Sequence, residues 1–391
     1  MPLYGKPMRK LIRSRMQLKV NQTFPFHTPS LDSILDIEEF EYYAQSKLPE
    51  SITAFFSRGA GHEITLKENV SSFDRIKFLP RVLRNVDKRS LATTVLNQPI
   101  DFPLLIAPMA FQRLAHPEGE VAVAKAAQDH NLIMTVSTLS TYSLEEIAAN
   151  STCPPWFQLY IYKDREITKN LVQLAEASGY QGIVLTVDAP IYGKRIKELQ
   201  TPLTLPTEFE IKNLIAAGLP LKDIPPSKLA GYLASLLDPA LNWNDITWLQ
   251  SLTSLPIILK GIMNPKDIQI AIANSIEAVI ISNHGGRQLD TTLSSIETLK
   301  LMKGLGDGKI EIILDGGIRK GIDILKALAL GARAVMVGRS ILWGLAVGGE
   351  EGVKRVLTIL KAELDLAMAL CGYSSLHQIN EEVLHFPDKS P

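Results

Sequence analysis

Cysteine is scarce in this chain of 391 residues: only Cys153 and Cys371 occur. That excludes a disulfide framework and suits a reducing, cytoplasmic compartment. No apolar run reaches the ~20 residues a membrane-spanning helix needs, and the N-terminus lacks the apolar core of a secretory signal. Neither charge sign dominates. Lysine and arginine total 41, aspartate and glutamate 41, which argues against nucleic acid as the main partner. The seven histidines form no ligand-spaced cluster with cysteines or acids, so no metal site is expected. Acid is missing locally as well. Residues 1–31 hold no acidic side chain, while residues 1–19 carry Lys6, Arg9, Lys10, Arg13, Arg15 and Lys19. This segment reads as a disordered tail, with a transit peptide or membrane-surface anchor as alternatives. Residues 32–391 then form one mildly acidic domain, with 35 basic against 41 acidic side chains.

Apolar residues are plentiful, at 46%, so a large core can form. Residues 37–57 carry helical spacing through Ile37, Phe40, Tyr43, Leu48 and Ile52, with Pro49 as a break between two helices. Residues 73–100 read as irregular to extended and are expected to form a cap. Eight short apolar strands follow, at 104–110, 132–138, 156–162, 182–188, 256–262, 278–283, 311–316 and 334–338. Helical stretches lie between them, among them 117–130, 164–178, 265–273 and 321–330. Continuous apolar strands spaced by helices imply a parallel sheet buried on both faces. Eight units favour a closed (β/α)₈ TIM barrel, with an N-terminal helical cap, over an open doubly wound sheet. The connection after strand 4 is unusually long, 67 residues between Asp188 and Pro256. Connections of this length are often lids, and part of 197–240 is expected to be mobile and to cover the site.

Barrel enzymes place their chemistry at the C-terminal strand ends. Those ends carry Ala107, Pro108, Met109 and Ala110; Ser137 and Leu139; Gln158 and Tyr160; Thr186 and Asp188, with Arg195 beyond. The later strands bring Lys260, then Ser282, His284 and Arg287, then Asp315, Gly317 and Arg319, then Gly338 and Arg339. A barrel with a purely structural role needs no such polar rim. Glycine amides beside Arg319 and Arg339, after strands 7 and 8, suit a phosphate. Lys260 lies in an apolar strand and needs an anion or acceptor. Asp188 beside His284 would favour the imidazolium that follows proton abstraction. Arg287 and Arg195 suit a substrate carboxylate, and Tyr160 suits a substrate hydroxyl.

The stretch Ser282-Asn283-His284-Gly285-Gly286-Arg287-Gln288-Leu289-Asp290 resembles the signature of the FMN-dependent 2-hydroxy-acid oxidases and dehydrogenases, the glycolate oxidase and L-lactate oxidase type. Residues 115–120, 157–165 and 314–339 resemble further segments of that family, and the likeness runs from about residue 37 to residue 380. It implies FMN as cofactor, His284 as base and Asp188 as its partner. Arg287, Arg195 and Tyr160 would bind substrate. Lys260 would lie near the flavin N1–C2 edge, with Ala107, Pro108, Ala110, Ser137, Gln158, Thr186 and Ser282 along the ring. Asp315 would hold the ribityl chain, and Gly317, Arg319, Gly338 and Arg339 the phosphate. The family usually has a tyrosine where this chain has Phe55, counted from Lys47-Leu48-Pro49, and often an acid where it has Ile196. Met109 and Leu139 make the pocket wall similar to that of lactate oxidases rather than plant-type glycolate oxidases. The resemblance implies oxidation of a small (S)-2-hydroxy acid, L-lactate first and glycolate next, by O₂ with release of H₂O₂. It also implies a homo-oligomer, often a tetramer. A quinone-linked membrane dehydrogenase and a flavin-binding barrel with little turnover are the rival readings.

Overall fold

The computed structural model describes residues 30–387, apart from 207–208, 222–223 and 307. The basic tail up to residue 29 lies outside the described residues. Leu31, assigned to that tail by composition, instead opens a 3₁₀ turn, Leu31–Ser33, that rests against Gly348 of the long helix Arg339–Cys371.

Eight parallel strands form the barrel: β1 Leu104–Ile106, β2 Thr135–Ser137, β3 Trp156–Leu159, β4 Ile183–Thr186, β5 Ile257–Ile262, β6 Ala278–Ile281, β7 Glu311–Asp315 and β8 Ala334–Val337. From β2 onward each pairs with the next, and β8 pairs with β1. A bridge between Ile106 and Met134 joins β1 to β2 and closes the ring, with the Ile106 amide 2.9 Å from the Ile133 carbonyl. All four residues of β6 are fully buried, as a strand between the barrel interior and a helical layer must be. Each fully buried Ile, Leu or Val side chain contributes roughly 1.5–3 kcal/mol over exposure.

Among the described residues, three α-helices precede the barrel: α1 Ile37–Lys47, α2 Glu50–Ser57 and α3 Ile64–Arg75. Pro49 separates α1 from α2 as its missing N–H requires. The expected irregular-to-extended segment 73–100 is corrected at its start, where residues 73–75 finish α3. Its last residues are extended, as a hairpin of Thr93–Val95 with Gln98–Ile100. The hairpin meets the N-terminal strand ends, opposite the polar rim. There Leu96 N donates to Glu311 Oε2 at 3.1 Å and Arg333 Nε to the Thr94 carbonyl at 2.6 Å. The long connection after β4 is not featureless. It folds into short helices, Ile196–Gln200, Lys212–Ala216, Pro226–Leu236 and Asn244–Gln250. No helix among the described residues is long and apolar enough to cross a membrane.

Candidate active site

His284 stands just past β6 with a φ of 59°, a left-handed conformation that costs a non-glycine residue roughly 1–2 kcal/mol. Its amide donates to Ser282 Oγ at 3.0 Å, which helps to fix the turn. The imidazole Nδ1 lies 3.0 Å from Asp188 Oδ1, leaving Nε2 for the cavity. Burial, helped by the nearby Lys260 and Arg195, lowers the imidazole pKa against the raising effect of Asp188, so the resting ring is neutral and ready to take a proton. Burial opposes the charge of Asp188, but His284 and Lys260 together hold its carboxyl below the usual carboxylate value. Lys260 does not reach for solvent. Its ammonium is buried, 2.9 Å from Asp315 Oδ2 and 3.0 Å from Ser282 Oγ. Burial opposes its charge too, yet Asp315 and Asp188 raise its pKa above the ordinary lysine value.

Two arginines face the same cavity. Arg287 Nη1 donates to the Phe55 carbonyl at 2.7 Å and the Arg58 carbonyl at 2.8 Å, so α2 and the residue after it seat the guanidinium. Its Cζ lies 5.5 Å from the Phe55 ring centre. Arg195 opens the Ile196–Gln200 helix, and its Cζ lies 5.7 Å from the Tyr192 ring centre. Glu198 Oε2 is shared between them, 3.3 Å from Arg195 Nη1 and 3.6 Å from Arg287 Nη2. Burial and the neighbouring Arg195 and Arg339 push the Arg287 pKa well below its ordinary value. The Tyr160 hydroxyl has no hydrogen-bond partner among the described residues, and burial raises its pKa well above the ordinary phenol value. It is therefore a protonated donor at neutral pH.

The far end of the cavity is built for an anion. Gly317 has a φ of 84°, and a Cβ there would sit 1.9 Å from the Asn69 carbonyl, so only glycine lets this turn press against α3. Arg339 Nε donates to the Phe56 carbonyl at 3.0 Å and Nη1 to the Gly285 carbonyl at 3.0 Å. Its Nη2 is buried without a partner among the described residues. Burial and the nearby Arg319 bring its pKa down to about 10. An orphaned guanidinium N–H beside a second arginine and glycine amides fits the phosphate of a mononucleotide cofactor.

One cavity, with about 1330 Å³ of atom-free space open to solvent, is lined by every site residue read from the sequence except Asp188 and Ser282. Those two stand behind it: Asp188 through its bond to His284, Ser282 through bonds to Lys260 and Asp315. Five cationic side chains and two carboxylates line the cavity, a balance that favours an anionic cofactor and an anionic substrate. Sequence reasoning passed over Tyr192, Glu198 and Leu233, which also line it. The i,i+3 spacing of Arg195 and Glu198 was a readable ion-pair signal. Leu233 offered none, since only the folded connection brings it back over the barrel.

A closed (β/α)₈ barrel with an anion cradle after β7 and β8, and a base and two arginines near the rim, defines a class of cofactor-binding barrel oxidoreductases. The chain belongs to the FMN-dependent dehydrogenase family, whose profile matches residues 44–386. It is a flavoprotein, and its cofactor is FMN. It is 48% identical to an L-lactate oxidase of Nostoc sp. over 91% of this chain and 99% of that one. It is 44% identical to human 2-hydroxyacid oxidase 1, over 90% and 97% of the two chains. A crystal structure of mandelate oxidase with (S)-4-hydroxymandelic acid superposes with a TM-score of 0.84 at 37% identity, over 90% of this chain and 98% of that one. The family is therefore that of the 2-hydroxy-acid oxidases, and lactate, glycolate and mandelate enzymes are all among the relatives.

Proposed function

We propose that the protein oxidises L-lactate to its 2-oxo acid, with O₂ as acceptor and H₂O₂ as the second product. One observation carries the proposal: His284, backed by Asp188, and the pair Arg195 and Arg287 face one cavity whose other end is an anion cradle. Bound FMN supplies the two-electron acceptor. Arg319, Arg339 and the amides around Gly317 and Gly338 would hold its phosphate. Asp315 would hold the ribityl chain. Ala107, Pro108, Ala110, Ser137, Gln158, Thr186, Lys260 and Ser282 would line or support the ring.

The protein groups divide the remaining work. Arg195 and Arg287 hold the substrate carboxylate, and Tyr160 donates to the substrate oxygen. His284 Nε2 takes the proton released as the carbon bearing the hydroxyl is oxidised. Asp188 then stabilises the imidazolium, which burial alone would disfavour. Met109, Leu139, Phe55 and Leu233 give the cavity an apolar wall that suits a small alkyl group. That wall and the Nostoc relative support lactate over glycolate. Homotetrameric assembly in the cytoplasm belongs to the same reading and rests on the family resemblance and the scarcity of cysteine.

An oxygen-electrode assay of the purified holoenzyme with L-lactate, glycolate and mandelate tests the proposal. The expected result is the highest kcat/KM for L-lactate. A higher value for mandelate or glycolate overturns the substrate, and oxidation of none overturns the activity.

A further inference from the structure

Each carboxylate-binding arginine rests over an aromatic ring, and the two rings differ. Under Arg287 lies Phe55, which has no hydroxyl to offer. Beside Arg195 lies Tyr192, which does. The Tyr192 side chain lines the same cavity as Tyr160, Arg195, Arg287 and His284. Its hydroxyl has no hydrogen-bond partner among the described residues. Burial keeps the phenol protonated, so it is a donor without an acceptor.

The backbone around Tyr192 is tightly held. Gln288, in the loop that also carries His284 and Arg287, grips it from both sides. Its Nε2 donates to the Ile191 carbonyl at 3.0 Å and the Asp188 carbonyl at 2.9 Å. Its Oε1 accepts from the Gly193 amide at 3.1 Å. Gly193 allows this approach, because a Cβ there would meet the Arg287 and Gln288 carbonyls at 2.4 Å. Tyr192 is thus tied to the loop that carries the base, with its donor placed before any ligand arrives.

We infer that Tyr192 is a substrate-binding residue whose phenol donates a hydrogen bond to the substrate carboxylate beside Arg195. The bond supplies, from the Arg195 side, the phenolic donor that position 55 lacks. The inference rests on the reading above that a 2-hydroxy acid lies between Arg195 and Arg287.

The test is Tyr192→Phe in the FMN-loaded protein, which keeps the ring against Arg195 and deletes only the hydroxyl. Pyruvate is titrated against the flavin absorbance, and KM and kcat for L-lactate are measured beside it. A hydrogen bond to a charged group predicts a pyruvate Kd and a lactate KM raised about 10-fold or more. Turnover at saturation stays within about threefold, because the bond is made equally in ground and transition states. Lactamide, which lacks the carboxylate charge, loses far less affinity than pyruvate. A variant with pyruvate Kd and lactate KM within twofold of wild type overturns the inference. Equal losses for pyruvate and lactamide also overturn it, since they mark a general change in the cavity. Failure of the functional reading looks different: the wild-type holoenzyme itself then binds no 2-oxo acid and oxidises no lactate.

Discussion

At the scale of single residues, the proposed mechanism makes His284 and Asp188 set the pH behaviour. The base works only when neutral, so the acid limb of kcat/KM tracks the imidazole pKa. Burial lowers that pKa and Asp188 raises it. Asp188→Asn removes the raising influence, so the acid limb moves to lower pH. The same change lowers kcat by about 10²–10⁴-fold, because the imidazolium loses its counterion and its orienting acceptor. A pH profile of the variant checks both; an acid limb moving to higher pH would refute the pairing. At the anion end, Arg339→Ala removes the guanidinium whose Nη2 has no partner among the described residues. Losing such a charge-assisted bond costs about 1.5–3 kcal/mol, roughly a 10- to 150-fold weaker FMN affinity. Flavin fluorescence during titration of the apoprotein reads it directly. Unchanged affinity would place the phosphate elsewhere.

Among the elements, the strands were legible and their supports were not. Runs such as Ala278-Val279-Ile280-Ile281 announce themselves because a strand buried on both faces tolerates only apolar residues. The rim was legible for the same reason, since polar groups such as Lys260 and His284 interrupt or end those runs. Helix α3 was missed because its stabilisation is not local. Glu63 offers it no side-chain cap, and Asp290 caps it from 225 positions away, with Oδ1 accepting from Thr65 N at 2.9 Å and Oδ2 from His62 N at 2.8 Å. The end of the signature motif is thus a structural residue that ties the base loop to α3. Asp290→Ala is expected to destabilise the fold by about 1–2 kcal/mol, the usual cost of a lost cap. Urea unfolding of the holoenzyme measures it, and no change in midpoint would show that the cap is dispensable. Asn69 was equally invisible. Its amide exchanges two hydrogen bonds with Asn283, at 2.8 and 2.7 Å, a pairing across 214 residues that no periodicity encodes.

For the whole molecule, the barrel separates two anion-binding tasks that a smaller fold would crowd together. Strands β7 and β8 deliver the cradle of Gly317, Arg319 and Arg339, while β4 and β6 deliver Asp188 and His284. The connection after β4 returns over the mouth and adds Tyr192, Arg195, Glu198 and Leu233 to the wall. Its helix Ile196–Gln200 is pinned to the cap by the Lys197–Glu63 ion pair. Under the proposed reading the connection completes part of the substrate wall, while the cofactor end is built at the strand ends themselves. This is why strand patterns revealed the cofactor end more fully than the pocket wall.

In the proposed reaction a 2-hydroxy acid held by Arg195 and Arg287 gives up two electrons to bound FMN while His284 takes the proton. Anaerobic stopped-flow mixing of the holoenzyme with L-lactate tests it most directly. The expected result is rapid bleaching of the flavin absorbance in the wild type and bleaching slowed by about 10²–10⁴-fold in His284→Asn. A flavin that stays yellow with every 2-hydroxy acid, or one that bleaches equally fast without the imidazole, would contradict it.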